Sequence, residues 1–169
     1  MAKHIGYILI MAASYAVGTL ISSSYSACLK EVSTMRSIAI DIRETIKLAA
    51  IPIHEIFKAY SHGDDNPFIE AFKNAAASLE HGRESASQAF SREVGKLALD
   101  SGQDALQAIL SVGESLSLPD RERILAALSI SINRLAAAEA AAKETLEQKG
   151  ALARKLSLAA GAFIIILIV

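Results

Sequence analysis

The stretch DRERILAALSISINRLAAAEAAAKETLEQKGALARKLSLAAGAFIIILIV, residues 120–169, changes solvent part-way along. Its first thirty residues place Ile124, Leu128, Leu135, Ala138, Ala142 and Leu146 at spacings of three, four and seven between Arg, Glu and Lys, the pattern of an amphipathic helix. From Leu156 charge disappears, and residues 163–169 have no polar face at all. A C-terminal helix buried on a small soluble domain would keep such a face. No proline or turn cluster separates the two parts, so one helix is expected to leave a watery domain and enter hydrocarbon. The fourteen charge-free residues reach only about 21 Å as a helix. Ala151, Leu152 and Ala153 lengthen them, with Arg154 and Lys155 snorkelling to the interface from one turn inside.

The other end has the same character. Every charged residue except Lys3 falls between Lys30 and Lys155, and residues 5–27 carry none. Residues 5–21 are long enough for about 25 Å of helix, and Ser22, Ser23, Ser24 and Tyr25 suit the headgroup layer. Two other readings use the same features: a cleaved signal peptide, and a lipoprotein box Tyr25-Ser26-Ala27-Cys28 in which Tyr replaces the usual Leu. Cations choose the orientation. Lys30, Arg36, Arg43 and Lys47 follow the first segment, and Lys149, Arg154 and Lys155 precede or open the second. By the positive-inside rule the central region is cytoplasmic and both termini point outward. Three regions result: a transmembrane helix over 1–29, a cytoplasmic helical bundle over 30–150, and a second transmembrane helix over 151–169, with Lys30, Arg154 and Lys155 at the membrane interface.

In the central region Ala, Leu, Glu, Lys, Arg and Gln dominate, without the alternation of strands, so the domain reads as all-α. Helices are expected over 30–50 (Val32, Met35, Ile38, Ile42, Ile46, Ala49), from Pro52 to Tyr60 (Ile53, Ile56, Phe57), and over 66–82 (Phe68, Phe72, Ala75, Ala76, Leu79). Asn66 and Pro67 are the expected cap and first turn of the third, and Gly82 its end. Residues 61–65 form the turn before it. Further helices are expected over 85–99, over 103–116, and from 120 to about 149, the last opened by a capping box at Ser117-Leu118-Pro119-Asp120. The first of the six continues the membrane helix. Short loops make them an antiparallel six-helix bundle flanked by two transmembrane helices. Ala136 to Ala142 permits close helix contact or, equally, a solvated face with Glu139 and Lys143 paired at i,i+4.

Several chemistries are excluded. A net charge of -1, from 17 Lys+Arg and 18 Asp+Glu, provides no basic field for nucleic acid. One cysteine allows neither a disulfide framework nor a thiolate zinc site. The histidines at 4, 54, 62 and 81 have no i,i+4 pair, and Lys58 stands where an HExxH motif beginning at His54 would need its second histidine. Gly95-Lys96 lacks the earlier glycine of a phosphate loop, where Phe90 stands. No Gly-x-Ser-x-Gly elbow occurs. The residues point to a non-enzymatic protein without metal or cofactor.

The order of features resembles a known family. The carrying residues are Lys3 and Gly6; Pro52-Ile53-His54-Glu55-Ile56, similar to Pro-Leu-x-Glu-Ala; Leu79 and Gly82 before Ala89-Phe90; Gly113-Glu114-Ser115-Leu116 leading to Asp120-Arg121-Glu122; and Gly150, Arg154 and Gly161. Together they resemble the stage III sporulation protein AB family of endospore-forming bacteria along the whole chain. Phe90 stands where that pattern has Trp, and Lys149 where an aromatic is common. The resemblance implies a component of the channel between mother cell and forespore, in the mother-cell membrane around the forespore. It implies a helical domain like that of type II secretion inner-membrane platform proteins. The implied partners are the secretion-type ATPase stage III sporulation protein AA, the other membrane proteins of the channel, and the lipid bilayer. Asp120, Arg121, Glu122 and Arg123, denser in charge than a helix start requires, are the candidate partner-binding residues. Against this stands a passive membrane-anchored helical scaffold or lipoprotein unrelated to any ATPase.

Overall fold

The computed structural model describes residues 2–49, 51–62, 66–82 and 84–168, with side chains at all of these except 2–5, 7, 8, 154, 167 and 168. Among them every element is helical: α1 Ala2–Leu48, α2 Ile53–Ala59, α3 Ile69–Glu80, α4 Ala86–Val94, α5 Gln103–Leu116, α6 Arg121–Thr145, a π turn Leu146–Gly150, and α7 Ala151–Ile168. The all-α expectation holds, and α1 continues unbroken through Cys28, which is half-buried within it. The chain divides into two compact units, Met1–Leu29 with Ala140–Val169, and Lys30–Glu139.

In the unit Lys30–Glu139, α2 packs on α3, α3 on α4 and α4 on α5. Their shared core is a phenylalanine cluster. Phe57 and Phe72 meet edge-on at 5.3 Å between ring centroids, and Phe90 lies 5.4 Å from Phe72 and 5.9 Å from Phe57. From α1, Val32, Met35, Ile38, Ala39, Ile42 and Ile46 are buried; from α6, Ile124, Leu128, Ile132 and Leu135 are. These two helices run antiparallel. Arg36 Nη1 pairs with Glu139 Oε2 at 2.8 Å, while Arg121 donates to the carbonyl of Lys47 at the far end. Glu139 therefore serves α1 and not Lys143, so the Ala-rich stretch presents its carboxylate across helices.

The helix ends show where local signals lost. Asn66 does not cap α3: its Oδ1 accepts from the Phe68 N–H at 2.8 Å, closing a turn two residues on, and the helix starts only at Ile69 with Phe68 as N-cap. Gly82 follows α3 with φ 61°, the left-handed stop. α4 does begin at a capping box, formed by Ser85 and Gln88, but it ends at Val94 rather than 99. The cause is tertiary: the buried Glu31 carboxylate accepts from Asp100 N–H at 2.9 Å and Ser101 Oγ at 2.5 Å, holding that segment out of the helix. Ser117 closes α5 instead of opening α6. Its Oγ accepts from Ser87 N–H at 2.6 Å, and Asp120 is the residue that caps α6.

The unit Met1–Leu29 with Ala140–Val169 is built differently. Among its described residues the buried positions are small or polar: Gly18, Ser22, Gly150 and Gly161. A Cβ added at Gly161 would lie 2.5 Å from Ser14 Oγ and 3.5 Å from Met11 Sδ; one at Gly150 would lie 3.2 Å from Ser22 Oγ. Ser14 opposite Gly161 and Ser22 opposite Gly150 set an antiparallel register. Large apolar side chains point outward, with Leu20 69%, Phe163 65% and Ile166 74% exposed. The alanines at 12, 13, 16, 159, 160 and 162 face outward, and Gly161 meets Ser14 and Met11 instead. Inward positions recur at fours through Ala142, Leu146 and Gly150, then Ala153, Ser157 and Gly161. Successive fours overrun a 3.6-residue turn, and the π turn absorbs the surplus there.

Candidate partner-binding site

The charged cluster at the start of α6 is the continuous run Asp120–Arg123, joined by the end of α1. Pro119 cannot donate a backbone hydrogen bond, and Asp120 follows it as the cap of α6. Asp120 Oδ1 accepts from the Arg123 N–H at 2.9 Å, and its other oxygen lies 3.0 Å from Arg123 Nε. Both side chains are half or more exposed, so the pair contributes little to stability. Arg121 turns towards α1 and donates to the Lys47 carbonyl. That carbonyl is among the last four of α1, which lack partners in their own helix, and a cation there also opposes the negative end of the helix dipole. Glu122 is exposed.

The Arg121 contact brings the end of α1 to this cluster, and with it apolar surface. Leu48 is 84% exposed, Ile51 41% and Leu118 36%. An exposed face that mixes Arg123, Glu122 and Asp120 with aliphatic side chains has the chemistry of a protein contact. The apolar half of this face went unnoticed in the sequence, although Leu48 breaks the inward three-and-four stripe of α1.

Lys30 is exposed on α1 and Lys155 on α7; the side chain of Arg154 lies outside the described residues, as do those of Lys3 and His4 and the turn positions 63–65. One cluster was not foreseen: His54, Glu55 and Glu80 bring a donor atom each within 4.8 Å of one another. Lys58 Nζ already lies 3.6 Å from Glu80 Oε1, so an ammonium occupies the cation position of that carboxylate.

The most strongly organised charge in the unit is buried. Glu93 Oε1 accepts from Arg92 Nε at 2.9 Å and from Lys96 Nζ at 2.8 Å, and Oε2 accepts from Lys96 at 2.8 Å and Asn74 Nδ2 at 3.4 Å. Burial alone pushes this carboxyl up. Lys96, Arg92 and Asn74 together outweigh burial and hold it below the ordinary carboxylate range. Arg92 also bonds Ser78 Oγ at 2.9 Å and pairs with Glu84, so the network ties α3 to α4. Its role is structural.

The glycine and aromatic positions that carried the family resemblance meet in space. A Cβ at Gly113 would lie 2.7 Å from Phe90 Cδ1, so α5 approaches α4 over a position where only glycine clears the ring. Comparison with curated proteins and with solved structures returned no match. The family model for stage III sporulation protein AB, however, matches residues 3–169, and over its whole length the chain belongs to the stage III sporulation protein AB family.

Proposed function

We propose that this protein, whose family assigns it a role in stage III of sporulation, is a two-pass component of the mother cell to forespore channel. In this reading residues 30–149 form a cytoplasmic adaptor that couples a secretion-type ATPase to the membrane complex, and the protein carries no catalysis of its own. The observation that carries the membrane half is the inverted unit Met1–Leu29 with Ala140–Val169, where Gly161 and Ser14 are inside and Leu20, Phe163 and Ile166 outside. Such an arrangement is favourable where the solvent is lipid and small residues mediate helix contact. Among the described residues one helical run, Arg121–Ile166, is long and apolar enough to cross a membrane. Exported behaviour of reporters fused at the N-terminus and after Val169, with cytoplasmic behaviour near Gly102, is the expected outcome. An exported reporter near Gly102 would overturn the topology.

The adaptor half is supported by the exposed end that carries Asp120, Glu122, Arg123, Leu48 and Leu118. Full-length protein in nanodiscs should bind the ATPase stage III sporulation protein AA, and Arg123→Glu should weaken binding and change its salt dependence. The second reading, a passive anchored scaffold, is favoured by the internal duty of Arg121, which closes α1. Unchanged ATPase affinity and salt dependence in Arg123→Glu would leave that reading for these residues.

A further inference from the structure

Between α5 and α6 lies an open groove of about 240 Å³, lined in part by Leu118 of the charged end. Its floor is small and satisfied. Ser111, Ser115 and Ser131 are each 4% exposed or less: Ser111 Oγ donates to the Ala108 carbonyl at 2.7 Å, and the Ser115 and Ser131 hydroxyls, 2.9 Å apart and 2.8 and 3.0 Å from the Ser111 carbonyl, share their two hydrogens between that carbonyl and each other. An aliphatic side chain laid on this floor would strand no polar group. A volume of about 150 Å³ already holds a benzene-sized body, so the groove has room for one. Its walls are aliphatic too, with Ile130 56% exposed.

The rim adds a charge argument. Glu114 on α5 and Arg134 on α6 stand on opposite walls, both exposed, and neither has an ion-pair partner among the described residues. We propose that this groove is a self-association surface that takes a second copy of the same chain across a two-fold axis. Under such an axis Glu114 of one copy faces Arg134 of the other, and the reverse pair forms with it. Ile130 of each copy then fills the serine-floored groove of its mate. The surface is small, so association is weak in solution and strengthened by confinement in one bilayer.

The test uses the full-length chain in membranes with Cys28→Ser as background. Oxidation of Ile130→Cys should yield a covalent dimer of the chain, and Glu70→Cys, exposed on α3, should not. Glu114→Arg or Arg134→Glu alone should lower the dimer yield about tenfold, and the two together should restore it, since opposite charges then face each other again. Sedimentation of the detergent-solubilised chain carrying the charge variants, with the native Ile130, gives the same readout without cysteine, and helical circular dichroism checks the fold. Dimer yield no higher than the Glu70→Cys control would overturn the proposal. So would indifference to the single charge reversals, or adducts of Ile130→Cys with a different polypeptide in place of the dimer.

Discussion

Gly113 and Glu93 show how single residues set the terms for this fold. Alanine at 113 would gain about 1 kcal/mol in helix propensity, yet its methyl would sit 2.7 Å from Phe90 Cδ1 and 3.1 Å from Phe90 Cβ. The ring is wedged between Phe57 and Phe72 and has no free end to swing, so overpacking at about 1–3 kcal/mol exceeds the gain. Gly113→Ala should therefore lower stability, measured as a drop in denaturant midpoint, and pairing it with Phe90→Leu should recover part of the loss. At Glu93 the pH dependence has a definite sign. Its folded carboxyl lies below the ordinary value of 4.5, so the stability it contributes is present above that value and is lost as pH falls through the folded value. Thermal stability should decline below about pH 4.5, and Glu93→Gln should be less stable at neutral pH while losing part of that decline. An unchanged acid slope in Glu93→Gln would place the titration elsewhere.

At the scale of elements, the instructive case is the run from α6 through the π turn to α7. Its inward positions fall at intervals of four at Ala142, Leu146 and Gly150, and the π turn keeps Gly150 against Ser22 and Gly161 against Ser14. Deleting Gln148 removes the surplus residue and should convert the turn to plain α-helix. α7 would then rotate by about 100° relative to its present face. A cysteine pair placed at Ser22 and Gly150, where a Cβ on Gly150 would lie 3.9 Å from Ser22 Cβ, within disulfide reach, should crosslink in a Cys28→Ser background of the intact chain and lose that reaction on the deletion. Gly161→Leu should weaken the same helix pair without changing helix content, because Ser14 Cβ stands 2.8 Å from the new Cβ position. This outcome would be read with cysteines at Ser22 and Gly150.

For the molecule as a whole, the two units obey opposite rules of burial. Phe57, Phe72 and Phe90 are fully buried in Lys30–Glu139, whereas Phe163 is 65% exposed in the other unit. Water expels large apolar groups into a core, while lipid accepts them and leaves close packing to small residues. Extraction into mild detergent should therefore be required to solubilise the intact protein. Charge substitution at an outward site such as Leu20→Arg should impair membrane insertion, at a cost of about 2.5 to 3.5 kcal/mol near a helix centre. Normal membrane partition of Leu20→Arg, assayed by carbonate extraction, would speak against lipid at that face.

Hydrophobic spacing was enough to locate the helical elements, and α5 falls on the expected 103–116 because Gly102 and Ser117 bracket a sequence whose neighbours demand nothing else. Charge-free ends and the family motifs were likewise legible, since composition and residue order are properties of the chain alone. Where a helix stopped, and what a charged side chain did, was decided by partners far along the sequence. Glu31 ends the helical path at 95–102 from nearly seventy residues away, Arg36 takes Glu139 from Lys143, and Arg121 closes α1 rather than facing solvent alone. The serine floor beneath Glu114 and Arg134 gives no signal in one dimension either, because Ser131 joins Ser111 and Ser115 only when α6 folds back on α5. Periodicity records which face of a helix is turned from water; it carries no record of which side chain waits on the other side.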